Sequence, residues 1–365
     1  MSAELPNPSD ASDSKPLFSV ADPRVLRTLD ASLNRAAEGL RVVEDYARFI
    51  RDDALLTEQL KRLRHGLAEL GRVFPWQDRL ALRETASDVG VSISTLSETC
   101  RASAEEVCIA SLERSQQALR SLEEFAKTVD GAPSAGFERL RYETYQIAKA
   151  IAAGQRGSDR LASARLYVIL DGSGSLADFS ALVTSLCQAG VGVVQLREKG
   201  LCDRALVCFA RAMVTAAADF PTLTIVNDRP DLAVLAGADG VHVGQEELSV
   251  HDARAIVGPQ RLIGVSTHNV EQLKQAVKSG ADYVGLGPTF PSKTKRFESF
   301  AGLDFLREAA VTTSLPAYAI GGITEENLAD VLATGAQRIA VSAAVTGSAE
   351  PAEAARRLLK QLAVR

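Results

Sequence analysis

Ile225–Asp228 (IVND), Ala238–Leu248 (ADGVHVGQEEL) and Tyr283–Lys295 (YVGLGPTFPSKTK) decide how this chain folds. Each combines a short apolar, β-branched run with Asn, Asp, Gln, Glu, Ser, Thr or Lys at its end. A strand buried on both faces reads as a continuous apolar run rather than an alternation. These pieces are therefore interior strands whose polar residues collect at one end. Working outward, similar runs recur at Arg165–Leu170, Val191–Leu196, Thr222–Val226, Gly240–Val243, Leu262–Val265, Tyr283–Leu286, Ala317–Ile320 and Arg338–Val341. Helical stretches such as Val270–Ser279 and Glu325–Thr334 lie between them. Gly190, Gly280 and Gly335 stand just before strands, where a helix must end and the chain turn back. Eight strand–helix units in about 200 residues predict an α/β fold, a (β/α)8 TIM barrel, with a doubly wound open sheet as the competitor.

The chain has 365 residues, too many for one ordinary domain. From about Pro23 to Ile151 the apolar residues follow helical spacing, as in Leu26, Leu29, Leu33, Ala36, Leu40, Val43 and Ala47. This half repeats itself. Ala31–Arg48 (ASLNRAAEGLRVVEDYAR) aligns without gaps to Ala110–Lys127 (ASLERSQQALRSLEEFAK), offset by 79 residues, and Leu60–His65 (LKRLRH) matches Phe137–Tyr142 (FERLRY). The barrel is thus preceded by a mainly α-helical, internally duplicated domain. Arg41 and Arg120 are spaced to pair with Asp45 and Glu124, and Glu44 and Glu123 with Arg48 and Lys127. The same charges could instead line a shared polar pocket. Between the copies, Glu84–Gly90 and Val91–Glu98 read as a loop and a short strand. The division that follows is 1–20 as a disordered, Pro/Ser-rich tail, 21–152 as the helical domain, 153–164 as a linker by its Gly/Ser punctuation, and 165–365 as the barrel.

Composition limits the functions available. Net charge is −5, which argues against nucleic acid as an obligate partner, and the basic run Lys61–Arg64 (KRLR) falls in helical context and reads as a solvated face. No apolar run approaches a membrane span. The 5 cysteines show no CxxC spacing and suit a reducing cytoplasm, with Cys202 and Cys208 read as packing residues. Association into a homo-oligomer is left open.

Residues just past the strands of such a barrel converge on one face, where catalysis occurs. Gln195, Arg197, Glu198 and Lys199 follow the second strand, Asn227 and Asp228 the third, and Gln245, Glu246 and Glu247 the fourth. Ser266, Thr267 and His268 follow the fifth, Thr289 and the SKTK run Ser292–Lys295 the sixth, Gly321 and Gly322 the seventh, and Ser342 the eighth. Carboxylates flanked by cations suit a magnesium-bound polyanion, since Mg²⁺ takes one or two carboxylates and completes its shell with water and phosphate. Asp228 and Glu247 are the candidate ligands, and Arg197, Lys199 and Lys295 would neutralise a diphosphate. Gly321, Gly322 and Ser342 suit a separate monophosphate, which implies two phosphorylated substrates. His242 and His268 lack an acid neighbour in sequence and read mainly as packing or hydrogen-bonding residues.

In their order, VQLREK (Val194–Lys199), Asn227–Asp228, ADGVHVGQEEL, GVSTH (Gly264–His268), YVGLGPTFPSKTK and IGGIT (Ile320–Thr324) resemble thiamine-phosphate synthase, over nearly the whole barrel half. The resemblance implies a transferase that joins hydroxymethylpyrimidine diphosphate to hydroxyethylthiazole phosphate, giving thiamine phosphate and pyrophosphate by a dissociative, Mg²⁺-assisted route. It also implies roles. Gln195, Leu196, Arg197, Glu198, Lys199 and Asn227 would hold the pyrimidine diphosphate, with Ser266 and Lys295 on the same group. Ser292, Lys293, Thr294, Gly322, Val341 and Ser342 would hold the thiazole phosphate, and Asp228 and Glu247 the Mg²⁺. Arg197, Lys199, Ser266 and Lys295 would be catalytic. Glu247 departs from the Asp usual in that family, which implies weaker Mg²⁺ binding. The rival is a thiazole tautomerase, which would not need the full pyrimidine set. NRAAEGLRVVEDYARF (Asn34–Phe49) and SDVG (Ser87–Gly90) resemble an extension fused to some synthases, related to a hydroxymethylpyrimidine phosphate kinase. The helical half is then either that kinase or a non-catalytic dimerisation module.

Overall fold

The computed structural model describes residues 22–84, 100–291 and 301–363. Packing divides the chain into two units: residues up to Ile50 with Thr57–Tyr145, and Arg51–Leu56 with Gln146 onward.

In the first unit the repeat becomes two helices of 23 residues each, α1 (Pro23–Asp45) and α4 (Ala104–Ala126). Both start at side chains that satisfy otherwise unpaired amides. Asp22 accepts from the Arg24 amide ahead of Pro23, and Ser103 accepts from the Glu106 amide. The buried stripe of α1 carries Ser32, Ala36 and Gly39, and that of α4 carries Ser111, Ser115 and Ala118, the same positions of the repeat. A Cβ on Gly39 would lie only 2.7 Å from the Ser111 carbonyl oxygen, so the two helices meet almost backbone to backbone. α2 (Ala54–Gly71), α3 (Trp76–Ala81) and the first part of α5 (Ser134–Arg160) complete the bundle, with Leu60, Leu63, Leu67, Phe74 and Phe137 buried in its core.

The repeated charges settle into two matching networks. Arg41 reaches Asp45 at 3.3 Å and Arg120 reaches Glu124 at 3.0 Å, as their spacing predicts. Glu44 and Glu123, however, pair across helices, with Arg64 of α2 at 2.5 Å and Arg141 of α5 at 2.9 Å. The expected partners are lost for local reasons. A π-helical turn at Tyr46–Ile50 follows α1 and widens the coil, so Arg48 stacks over the Phe49 ring. Lys127 lies just past the end of α4 and pairs with Glu124. Arg64 and Arg141 occupy the same place in LKRLRH and FERLRY, so the duplication carries each buried pair as a unit. The KRLR run is accordingly split: Lys61 and Arg62 are exposed, while Arg64 turns to Glu44.

The second unit holds eight strands: β1 (Leu166–Leu170), β2 (Val193–Leu196), β3 (Leu223–Asn227), β4 (Gly240–Val243), β5 (Leu262–Thr267), β6 (Tyr283–Leu286), β7 (Ala317–Ile320) and β8 (Ile339–Val341). Neighbours in sequence pair in parallel and β8 pairs with β1, closing the barrel that the eight apolar runs predict. Helices α6 (Leu176–Gln188), α7 (Asp203–Ala217), α8 (Pro230–Ala236), α9 (Val250–Val257), α10 (Val270–Ser279), α11 (Gly302–Thr312), α12 (Leu328–Leu332), α13 (Ala343–Thr346) and α14 (Pro351–Leu362) alternate with and follow the strands. Gly280 ends α10 in the left-handed conformation (φ 82°) that its place before β6 requires.

Two expectations need correction here. Residues 153–160 are not a linker but the last turns of α5. Gly154 and Gly157 read as punctuation, yet Gly157 is glycine because a Cβ there would strike the Asp282 carbonyl group. Arg156 and Arg254 both pair with buried Asp282, Arg160 pairs with Asp239, and Leu161 and Ala164 join the barrel's core cluster. The stretch after Tyr145 thus packs as part of the barrel unit. Secondly, Cys202 and Cys208 are exposed rather than packed, whereas Cys108 and Cys187 are buried.

Candidate active site at the C-terminal ends of the strands

Tyr167, Val193, Ile225, Leu262, Tyr283, Tyr318 and Ala340 belong to one buried cluster inside the barrel. Side chains alternate inward and outward along a strand. Counting on by two from this layer places Gln195, Asn227 and Ser266 inward at the carboxyl ends of β2, β3 and β5. The same count turns Leu196 and Val341 outward into the helix layer, where both are buried. A ligand at the barrel mouth can meet these two only through their main chains.

β3 ends in a tight turn that sets the acidic corner. Asp228 takes a left-handed backbone (φ 61°), its amide donates to the His242 carbonyl at 2.8 Å, and the Arg229 amide donates to the Asn227 carbonyl at 2.8 Å. Asp tolerates this conformation better than most residues, but the strain is held by the surrounding hydrogen bonds. Burial, and then the nearby Glu247 carboxylate, push the Asp228 carboxyl above the usual range, while Lys199 and Arg197 pull it down. Lys199 Nζ lies 3.8 Å from Asp228 Oδ2, too far for a tight pair. Two carboxylates and two cations from β2, β3 and β4 therefore share one corner, as the sequence predicts. Glu247 is exposed, with its carboxylate folded back over Gly244.

Glu198 has a different task from its neighbours in the REK run. Its carboxylate accepts from the Gly172 amide at 3.1 Å and the Gly200 amide at 2.6 Å, pinning the loop after β2 to the loop after β1. That loop presents Arg197 and Lys199, so Glu198 supports the site through its neighbours. Gly321 and Gly322 have φ of 102° and 63°, and a Cβ on either would strike the Pro288–Pro291 segment. Glycine is required at both. Asn327 Nδ2 donates to the Gly322 carbonyl at 2.9 Å, and Ser342 stands before α13 with no capping hydrogen bond of its own. Ser292, Lys293, Thr294 and Lys295 lie outside the described residues.

His242 and His268 are hydrogen-bonded, as expected of them, but the order of residues does not give their partners. His242 Nε2 lies 2.9 Å from Ser266 Oγ and His242 Nδ1 3.3 Å from Tyr283 Oη. Burial, and then Arg197, push the imidazole down to about 4, so the ring is neutral at physiological pH. His268 Nδ1 lies 2.5 Å from the Gly287 carbonyl oxygen. The signal for His242 was available: it is flanked by the outward-facing Val241 and Val243, and its register partner is Gly264, whose missing side chain leaves room for the imidazole and for Tyr283.

Comparisons with known proteins place the two regions of the chain in families. Residues 166–345 match the family model for thiamine monophosphate synthase, and residues 27–150 match that of the ThiD2 family. A thiamine-phosphate synthase of Rhodopirellula baltica is 43% identical over 353 residues, covering 93% of this chain and 94% of that protein. One from a Synechococcus species is 43% identical over 345 residues, covering 93% and 97%. Among solved structures, thiamine phosphate pyrophosphorylase from Pyrococcus furiosus is 30% identical with a TM-score of 0.50, covering 57% of this chain and 97% of that one. Among the described residues no helix is long and apolar enough to cross a membrane. The chain belongs to the thiamine-phosphate synthase family, transferases of thiamine biosynthesis, with a ThiD2-family region ahead of the barrel.

Proposed function

We propose that the barrel mouth joins a hydroxymethylpyrimidine diphosphate to a hydroxyethylthiazole phosphate by a dissociative substitution. The observation that carries the roles is the corner formed by Arg197, Lys199, Asp228 and Glu247. Arg197 and Lys199, with Lys295, hold the diphosphate and neutralise the charge that grows on it as the carbon–oxygen bond breaks. The electron pair leaves with pyrophosphate. The thiazole nitrogen then donates its lone pair to the pyrimidine methylene cation and forms the new carbon–nitrogen bond. No nucleophilic side chain is required.

Asp228 and Glu247 fit Mg²⁺, because burial, and then the repulsion between the two carboxylates, raises the Asp228 carboxyl, and a divalent cation held between hard oxygen ligands offsets both. The ion would supply further charge neutralisation on the leaving diphosphate. Gly321, Gly322 and Ser342, with Ser292, Lys293 and Thr294, receive the thiazole phosphate. Asn227, Gln195 and Ser266 bound the pyrimidine, while Leu196 and Val341 contribute main chain. Free cysteines agree with work in a reducing cytoplasm.

For the first unit we infer phosphorylation of hydroxymethylpyrimidine phosphate to the diphosphate that the barrel consumes, a reading supported by the ThiD2 match. One experiment tests both assignments. Full-length protein is given Mg²⁺ and thiazole phosphate with either pyrimidine diphosphate, or pyrimidine monophosphate and ATP, and thiamine phosphate is followed. Product in both tubes is expected. Product from the diphosphate alone would withdraw the kinase, and product in neither would overturn the synthase assignment.

A further inference from the structure

Five side chains cross the barrel as one hydrogen-bonded line. Gln195 Nε2 donates to Tyr167 Oη at 3.0 Å, the Tyr167 and Tyr283 hydroxyl oxygens are 3.2 Å apart, Tyr283 Oη lies 3.3 Å from His242 Nδ1, and His242 Nε2 lies 2.9 Å from Ser266 Oγ. The line runs from β2 through β1, β6 and β4 to β5. It therefore ties together two site residues that are not neighbours in the barrel. Glycine at 264 leaves room for Tyr283 and His242, and glycine at 285 sits 3.5 Å, at its added Cβ, from the imidazole.

Hydrogen-bond capacity fixes the polarity of this line. The Gln195 amide nitrogen can only donate, so Tyr167 accepts from it; Tyr283 Oη is the one acceptor within reach of the buried Tyr167 proton among the described residues, and donating there leaves no buried hydroxyl proton unpaired. Tyr283 in turn donates to His242 Nδ1. A neutral imidazole has one acceptor and one donor, so the proton sits on Nε2 and goes to Ser266 Oγ. The Ser266 proton is then directed away from the line. At the other end, Gln195 Oε1 accepts no hydrogen bond among the described residues. The mouth thus receives one oriented acceptor and one oriented donor.

We propose that Tyr167, Tyr283 and His242 are positioning residues that hold Gln195 as an acceptor and Ser266 as a donor toward an aminopyrimidine, whose amine donates and whose ring nitrogen accepts. The proposal deepens the synthase reading and rests on it. Alone, a glutamine amide and a serine hydroxyl would each have to be ordered when substrate binds; the buried line orders both beforehand.

The test uses the full chain with Tyr283→Phe and Tyr167→Phe, each of which removes one hydroxyl and little volume. Each variant is expected to raise KM for the pyrimidine diphosphate roughly 3- to 10-fold, the worth of one net hydrogen bond, and to leave KM for the thiazole phosphate within about twofold. The wild type should also reject a pyrimidine diphosphate bearing oxygen in place of the amine. That discrimination should fall by a similar factor in both variants. Unchanged KM and discrimination in both variants, or equal losses for the two substrates, would overturn the proposal. A wild-type chain without synthase activity would overturn the reading beneath it, which separates the two failures.

Discussion

Charges in the helical repeat and charges at the barrel mouth are similar in kind and opposite in arrangement. In the repeat, Glu44 and Glu123 are buried and closed by Arg64 and Arg141 at 2.5 and 2.9 Å. At the mouth, Lys199 stays 3.8 Å from Asp228, whose backbone is strained at φ 61° and whose carboxyl is pushed up by burial and Glu247. A closed pair has little left to give a ligand, because breaking it exposes a buried charge. An open corner carries carboxylate repulsion that a bound cation relieves, and cations that remain available to a polyanion. On the proposed function, the difference separates charges that hold a fold from charges kept for chemistry.

The largest effect should come from Asp228→Asn, which keeps the shape and tolerates the left-handed backbone. Loss of about 10²–10³-fold in kcat/KM is expected, on the scale of a deleted charge-stabilising group, with a melting temperature no lower than the wild type's. A variant that melts early and keeps its turnover would place Asp228 with the structural charges.

Glu123→Gln should behave in the reverse manner. Stranding Arg141 should cost about 3 kcal/mol of unfolding free energy by denaturant titration, with synthase activity on supplied pyrimidine diphosphate unchanged. Glu44→Gln should cost less, since the Arg64 side chain is 26% exposed against 10% for Arg141. Equal losses would break the argument from burial.

His242 brings a pH dependence of similar size. Its folded pKa is depressed to about 4 from 6.5, so it contributes stability that is complete above the unfolded value and is lost as pH falls toward 4. Between those limits about 3 kcal/mol should disappear. Urea midpoints measured across that range should slope in the wild type and flatten in His242→Gln. Smallest is Gly39→Ala. A Cβ placed 2.7 Å from the Ser111 carbonyl oxygen must push α1 from α4, costing about 1–2 kcal/mol after the helix-propensity gain is offset.

Much of this was legible in the chain. Strands buried on both faces have no choice but continuous apolar runs, and their polar ends must converge once the sheet closes, so the barrel and its acidic corner could be read directly. Leu196 and Val341 show the limit of that reading. They sit beside genuine mouth residues in sequence, and only strand parity turns their side chains away. Glu198 belongs to the same short run as Arg197 and Lys199, yet it is drawn to the Gly172 and Gly200 amides.

The barrel, the duplicated bundle, the family and the corner at Asp228 and Glu247 are written in the order of residues, because periodicity and strand-end chemistry are local properties. Tertiary structure alone decided that α5 runs on through the expected linker to Arg160, that Glu44 and Glu123 find their partners on other helices, and that Gln195 and Ser266 share one hydrogen-bonded line. Each of these depends on groups far apart in the chain meeting at a few ångströms. Their cause is the exclusion of water from a closed core, where every buried charge and hydroxyl must find a partner wherever the fold brings one.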